Sequence, residues 1–223
     1  MADSRPRGIL ETLRRTFDMP RRTASSRDPF KTLIITIISQ NTADRNTARA
    51  FENLSKHFEI IPEALANAET SQIERCLKVA GLYKNKAKAI KQVSKIVHEK
   101  YRDSLKAILL LPLEEARNAL MQLLGVGPKT ADVVLLFSGG KSTIPVDTHV
   151  NRVAKRLGLV PTSGNYEAVR ESLQSLYDPR DYLAVHMMLI SHGRRYCRAR
   201  NPLCTQCAIN TLCPTKRTRD KDD

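Results

Sequence analysis

Leu124-Gly125-Val126-Gly127-Pro128-Lys129-Thr130-Ala131 joins two stretches of helical pattern, residues 113–124 before it and 128–137 after it. Pro128 suits the first position of a helix, where its missing N–H costs nothing. Two glycines around one valine permit a tight turn with no side chain in the way. The N–H groups that open the second helix point outward and attract phosphate. Such a contact positions a nucleic-acid backbone and reads no base. A short turn between two helices sets the expectation for the rest of the chain, which is all-α.

Working outward, helical patterns cover residues 9–17, 30–39, 45–57, 84–101, 148–157, 166–176 and 181–192. Ser71 with Glu74 reads as a capping box ahead of a helix that runs to Val79 and is closed by Gly81. Within 84–101, Ile90, Val93, Val97 and Tyr101 recur at helical spacing and should face a core. Lys84, Lys88, Lys91 and Lys95 form another stripe, either a solvated face or one turned to phosphate. Gln40-Asn41-Thr42-Ala43-Asp44 favours a turn or cap. No alternating strand pattern appears. Residues 20–29 read as a polar linker, and breaks near Pro29 and Gly139 suggest two helical lobes, 29–138 and 1–28 plus 139–223.

The 223 residues carry 37 Lys+Arg against 23 Asp+Glu, a net charge of +14 that points to a polyanionic partner, nucleic acid first. Residues 33–38, the most apolar run, are far too short to cross a membrane, and no secretory signal opens the chain. Arginines at 5, 7, 14, 15, 21, 22 and 27 would suit a transit peptide, but Asp3, Glu11 and Asp18 interrupt them, and an arm on DNA accounts for them equally well. The expectation is a cytoplasmic, nucleoid-associated monomer.

Four of the five cysteines, Cys197, Cys204, Cys207 and Cys213, fall in a C-x6-C-x2-C-x5-C run. That is not a secreted disulfide framework but a ligand set for one metal centre. Thiolates bind zinc or iron–sulfur clusters. Four-cysteine zinc sites usually pair two close knuckles, whereas only Cys204 and Cys207 are so spaced here, which favours a [4Fe–4S] cluster. With four protein ligands such a cluster has no open position, so a structural staple is expected rather than a Lewis acid. Arg198 and Arg200, between the first two ligands, would then be held against phosphate. Cys76 stands apart in an apolar helical stretch and reads as a small core residue.

The glycine turn, Pro145-Val146-Asp147-Thr148-His149-Val150 and the cysteine run together resemble the endonuclease III family of helix-hairpin-helix, iron–sulfur DNA glycosylases, over about residues 29–214. The resemblance implies two helical lobes with a DNA groove between them and a C-terminal loop around a [4Fe–4S] cluster held by the four cysteines. It makes Lys129 the nucleophile, an amine that displaces the base at C1′ and forms a Schiff base with the opened sugar. It makes Asp147 the carboxylate that assists deprotonation of the amine and steadies positive charge on the sugar, a role compatible with an N-cap. Gly125, Val126 and Gly127 become the phosphate-binding hairpin. Gln40 would face the orphaned base and Leu82 would wedge the duplex when the damaged nucleotide is flipped out. His149 is read as structural.

A lysine at 129 implies the bifunctional type, which removes the base and then cleaves 3′ to the abasic site by β-elimination. Oxidised pyrimidines in double-stranded DNA are the implied substrates. The chain departs from the family at Leu124, where many members have proline, at Pro128, where a basic residue is common, and at Asn41, where small residues are frequent. The competing readings are a thymine/uracil mismatch glycosylase, a non-catalytic damage-binding protein and a zinc-stapled nucleic-acid module.

Overall fold

The computed structural model describes residues 4–19 and 28–216, and every regular element among them is helical. In chain order these are α1 (Arg5–Thr16), α2 (Pro29–Ser39), α3 (Asp44–His57), α4 (Pro62–Asn67), α5 (Thr70–Leu77), α6 (Tyr83–Tyr101), α7 (Lys106–Leu110), α8 (Leu113–Met121), α9 (Pro128–Phe137), α10 (Thr148–Arg156), α11 (Tyr166–Leu176) and α12 (Tyr182–Arg195). Short 3-10 turns occur at Lys78–Ala80, Pro179–Asp181, Cys204–Gln206 and Asn210–Leu212. The residues fall into two compact units, one within 22–141 and one joining residues before 22 to those from Ser142 onward. The expected linker at 20–29 lies largely outside the described residues.

The unit within 22–141 is built around α2. Apolar residues surround that helix, and Phe30, Leu33, Ile34, Ile37 and Ile38 are all buried against α3, α6 and α9. Asp28 starts it by accepting hydrogen bonds from the N–H groups of Phe30 (2.9 Å) and Lys31 (3.1 Å). Ile90, Val93 and Val97 of α6 reach the same core, the face that their helical spacing marks out. Cys76 is buried there too, and burial pushes its thiol pKa up. α8 and α9 close the unit. Arg117 of α8 donates from Nε to Asp132 Oδ1 of α9 at 3.1 Å, with both side chains buried.

The other unit packs α1 and α10 against α12, over a core that includes Leu13, Val150, Val153, Val185 and Met188. Gly193 lets α10 and α12 approach closely: a Cβ there would lie 3.0 Å from His149 Cβ and 3.1 Å from Val153 Cγ2. Two expectations change. Ser71 lies inside α5, whose N-cap is Glu69 with no side-chain cap, so the capping box is not formed. Ala68 closes α4 immediately before Glu69, and this connection fixes where α5 begins. α8 ends at Met121 rather than 124, because Leu123 N–H turns back to Leu120 O (3.1 Å) to enter the hairpin. Three of the N-terminal arginines make bonds within the protein: Arg7 pairs with Glu11 (2.8 Å), Arg14 with Asp181 (2.5 Å), and Arg5 donates to Leu157 O (2.7 Å) and Gly158 O (3.2 Å).

Candidate functional site

The hairpin is the first part of the site. Gly125 has φ +77, and a Cβ there would meet Ala89 Cβ at 3.0 Å, so both backbone and space demand glycine. Gly127 has φ −93 and nothing within 4 Å of a would-be Cβ, so no neighbour within the protein requires it. Its open flank leaves the head of α9 approachable. Val126 is buried, so its side chain belongs to the core and only its backbone is available at the surface. Pro128 opens α9, Lys129 follows half-exposed, and Thr130 is buried behind it.

Two loops of the same unit converge on the hairpin. Gln40, the residue after α2, donates from Nε2 to Gly125 O (3.0 Å) and Thr130 Oγ1 (3.3 Å). Asn41 beside it and Leu82 at the head of α6 both have left-handed backbone, φ 50 and 46. Leu82 is 59% exposed, unusual for a leucine so firmly placed. Gln40, Asn41, Leu82, Leu124 and Gly125 line one open cavity.

Lys86 lies beneath these loops and was not singled out from the sequence. Its side chain is buried, and Nζ donates to Ile38 O (2.8 Å), Ala80 O (2.8 Å) and Thr42 Oγ1 (2.5 Å). Burial pushes its pKa down. The signal was present in the register: counting back from Val97, Val93 and Ile90 at helical spacing lands on Lys86, a charge on the apolar stripe. Of the lysine stripe read beside it, Lys91 donates to Ala68 O (2.6 Å) and Lys95 pairs with Glu99 (3.7 Å), while Lys84 and Lys88 are exposed.

Asp147, in the other unit, caps α10: its Oδ1 accepts the Val150 N–H at 2.7 Å. That bond fixes a half-exposed carboxylate at a helix N-terminus, where negative charge is favoured. His149 Nδ1 lies 3.1 Å from Arg152, which also donates to Gly193 O (3.0 Å) and Cys197 O (3.0 Å), so this histidine sits in a brace between α10 and the cysteine loop.

Cys197, Cys204, Cys207 and Cys213 line one cavity with Arg156 and His192. Arg156 holds the loop, donating to Arg198 O (2.6 Å), Ala199 O (3.1 Å) and Cys197 Sγ (3.5 Å). His192 is buried, which pushes its pKa down to about 4, and its Nε2 lies 3.7 Å from Cys207 Sγ. Burial raises the Cys207 thiol pKa, and the other three cysteines raise it further. Four cysteine sulfurs lining one cavity make the donor set of a thiophilic metal centre. Among the described residues, no three His, Cys, Asp or Glu side chains converge to hold a single metal ion. A polynuclear cage distributes its ligands over separate irons and does not ask for that convergence. Arg198 and Arg200 stand exposed on the loop.

Among the described residues no helix is long and apolar enough to cross a membrane. Residues 34–179 match the family model of the HhH-GPD superfamily base excision DNA repair proteins. The chain is 36% identical over 200 residues to endonuclease III of Thermotoga maritima, covering 88% of this chain and 87% of that one. It is 35% identical over 189 residues to endonuclease III of Sulfolobus acidocaldarius, covering 84% and 82%. Its fold superposes on an endonuclease III trapped as a covalent intermediate with DNA, with a TM-score of 0.85, 28% identity and 97% of each chain covered. A thermostable thymine-DNA glycosylase shares the fold, with a TM-score of 0.76 and 22% identity. The chain belongs to the endonuclease III family, within the HhH-GPD superfamily of base excision DNA repair proteins.

Proposed function

We propose that this protein is a bifunctional DNA glycosylase and abasic-site lyase that removes oxidised pyrimidines from double-stranded DNA. The observation that carries the reading is a lysine, Lys129, in the first turn of a helix entered through an open glycine turn. Phosphate docked on that turn would bring the sugar within reach of the amine. Two relatives named endonuclease III, and a fold shared with one trapped covalently on DNA, support it.

In this mechanism the neutral Lys129 amine attacks C1′, and the damaged base leaves with the electrons of the glycosidic bond. Asp147 accepts a proton from the amine and balances positive charge on the sugar. The sugar opens to a Schiff base with Lys129. Loss of a C2′ proton then expels the 3′ phosphate oxygen and nicks the strand, and water releases the lysine. Gln40 and Leu82 occupy the gap left by the extruded nucleotide. The four cysteines hold a [4Fe–4S] cluster, which supplies no step of this chemistry and acts as a staple for the loop. That loop carries Arg198 and Arg200 toward phosphate, and the protein works as a monomer in the cytoplasm on nucleoid DNA.

Single-turnover excision on duplexes carrying either an oxidised pyrimidine or a G:T mismatch tests the assignment. We expect nicked product from the oxidised lesion and none from the mismatch. Excision of mismatched thymine that leaves an intact abasic site would instead establish a mismatch glycosylase. Tight binding without product from either duplex would establish a damage-binding protein.

A further inference from the structure

A lysine ammonium taken out of water must recover its hydrogen bonds, and an apolar side chain in its place is often no less stable. A buried lysine therefore signifies through what its donors hold. Lys86 is 4% exposed, and its three N–H donors meet three oxygens from two separate loops. Ile38 O lies in the last turn of α2, two residues before Gln40. Ala80 O ends the 3-10 turn two residues before Leu82. The third acceptor, Thr42 Oγ1, follows Gln40 and passes its own proton on to Ala80 O. One cation thus caps two helix C-termini at once, where carbonyls lack partners and positive charge is favoured.

Beyond each capped end, past Gln40 in one case and Gly81 in the other, stands a non-glycine residue with left-handed backbone, Asn41 (φ 50) and Leu82 (φ 46). Such conformations are unfavourable for residues with a Cβ and persist where the surroundings over-determine them. The ammonium supplies that constraint. We propose that Lys86 is a positioning residue that ties the Gln40 and Leu82 loops into one preformed wedge, so that both enter the duplex together as the damaged nucleotide is extruded. The inference rests on the glycosylase reading for what the wedge does, and on the three bonds for its existence.

The test compares wild type with Lys86→Met, which keeps length and removes the donors, and with Thr42→Val, which removes only the hydroxyl link. Melting and circular dichroism monitor folding. A 2-aminopurine beside an oxidised pyrimidine reports unstacking, and single-turnover excision is read on the fully paired duplex and on the same lesion in an unpaired bubble. Lys86→Met should slow unstacking and excision on the paired duplex about tenfold, and Thr42→Val less, with both deficits shrinking to about twofold or below in the bubble. Equal losses on paired and unpaired DNA would reduce Lys86 to a structural residue and overturn the proposal, as would no loss at all. If Lys86→Met does not fold, Thr42→Val decides by the same comparison. Wild type that unstacks the base in a Lys86-dependent manner but excises nothing would sustain the wedge and overturn the enzymatic reading instead.

Discussion

Charged side chains removed from water carry the largest consequence per residue in this protein. Arg117 and Asp132 face each other with 6% and 0% of their side chains exposed. Removing one member of such a pair leaves the other's charge buried, a loss of about 3–5 kcal/mol. Arg117→Met should therefore lower stability by that order in urea unfolding, and adding Asp132→Leu should restore much of it. A loss below about 1 kcal/mol in the single variant would show that the pair is not what braces α8 against α9. These two residues and Lys86 were not legible in the sequence, for related reasons. A lone arginine in α8 and a lone aspartate in α9 have no spacing that pairs them, since their contact is tertiary. Lys86 did leave a trace, a charge in the apolar register of α6, but the neighbouring lysines masked it. Asp147 was easier: an acid directly before a helix reads as a cap, and the Val150 N–H bond is that cap. For Gln40, expected to face an orphaned base, the structure adds an anchor that no sequence pattern shows: its amide donates to Gly125 O and Thr130 Oγ1.

At the scale of elements, long amphipathic helices were legible because three or more turns repeat the pattern. The boundaries read for α9 and α11 coincide with the observed Pro128–Phe137 and Tyr166–Leu176. α4 and α7 escaped notice: at six and five residues they show too little of a period to be read. The cysteine loop is the opposite case, since its spacing announces a ligand set while its backbone has no pattern. Arg156, Arg152 and Arg5, from the surrounding chain, donate to its carbonyls at Arg198, Cys197 and Leu212. We expect purified protein to be yellow-brown with about four irons per chain. Cys207→Ser should lose the visible absorption together with iron and loosen the loop to protease. A colourless protein with one zinc per chain would contradict the cluster. Iron loss without any change in protease resistance would contradict its role as a staple.

For the whole molecule, an excess of +14 charges gave the class of partner before any motif was considered. The all-helical architecture followed from periodicity, and family membership from three motifs whose coincidence outweighs each alone. The charge did not reveal its distribution. Arg5, Arg7 and Arg14 of α1 each make a bond within their own unit. The central claim is that Lys129 attacks DNA covalently. Borohydride trapping on a duplex carrying an abasic site, with wild type and Lys129→Gln side by side, tests it most directly. A covalent protein–DNA band with wild type that is lost in Lys129→Gln is the expected result. An equal band from the variant would move the nucleophile to another amine, and no band from either protein, despite tight binding to the same duplex, would contradict the lyase mechanism.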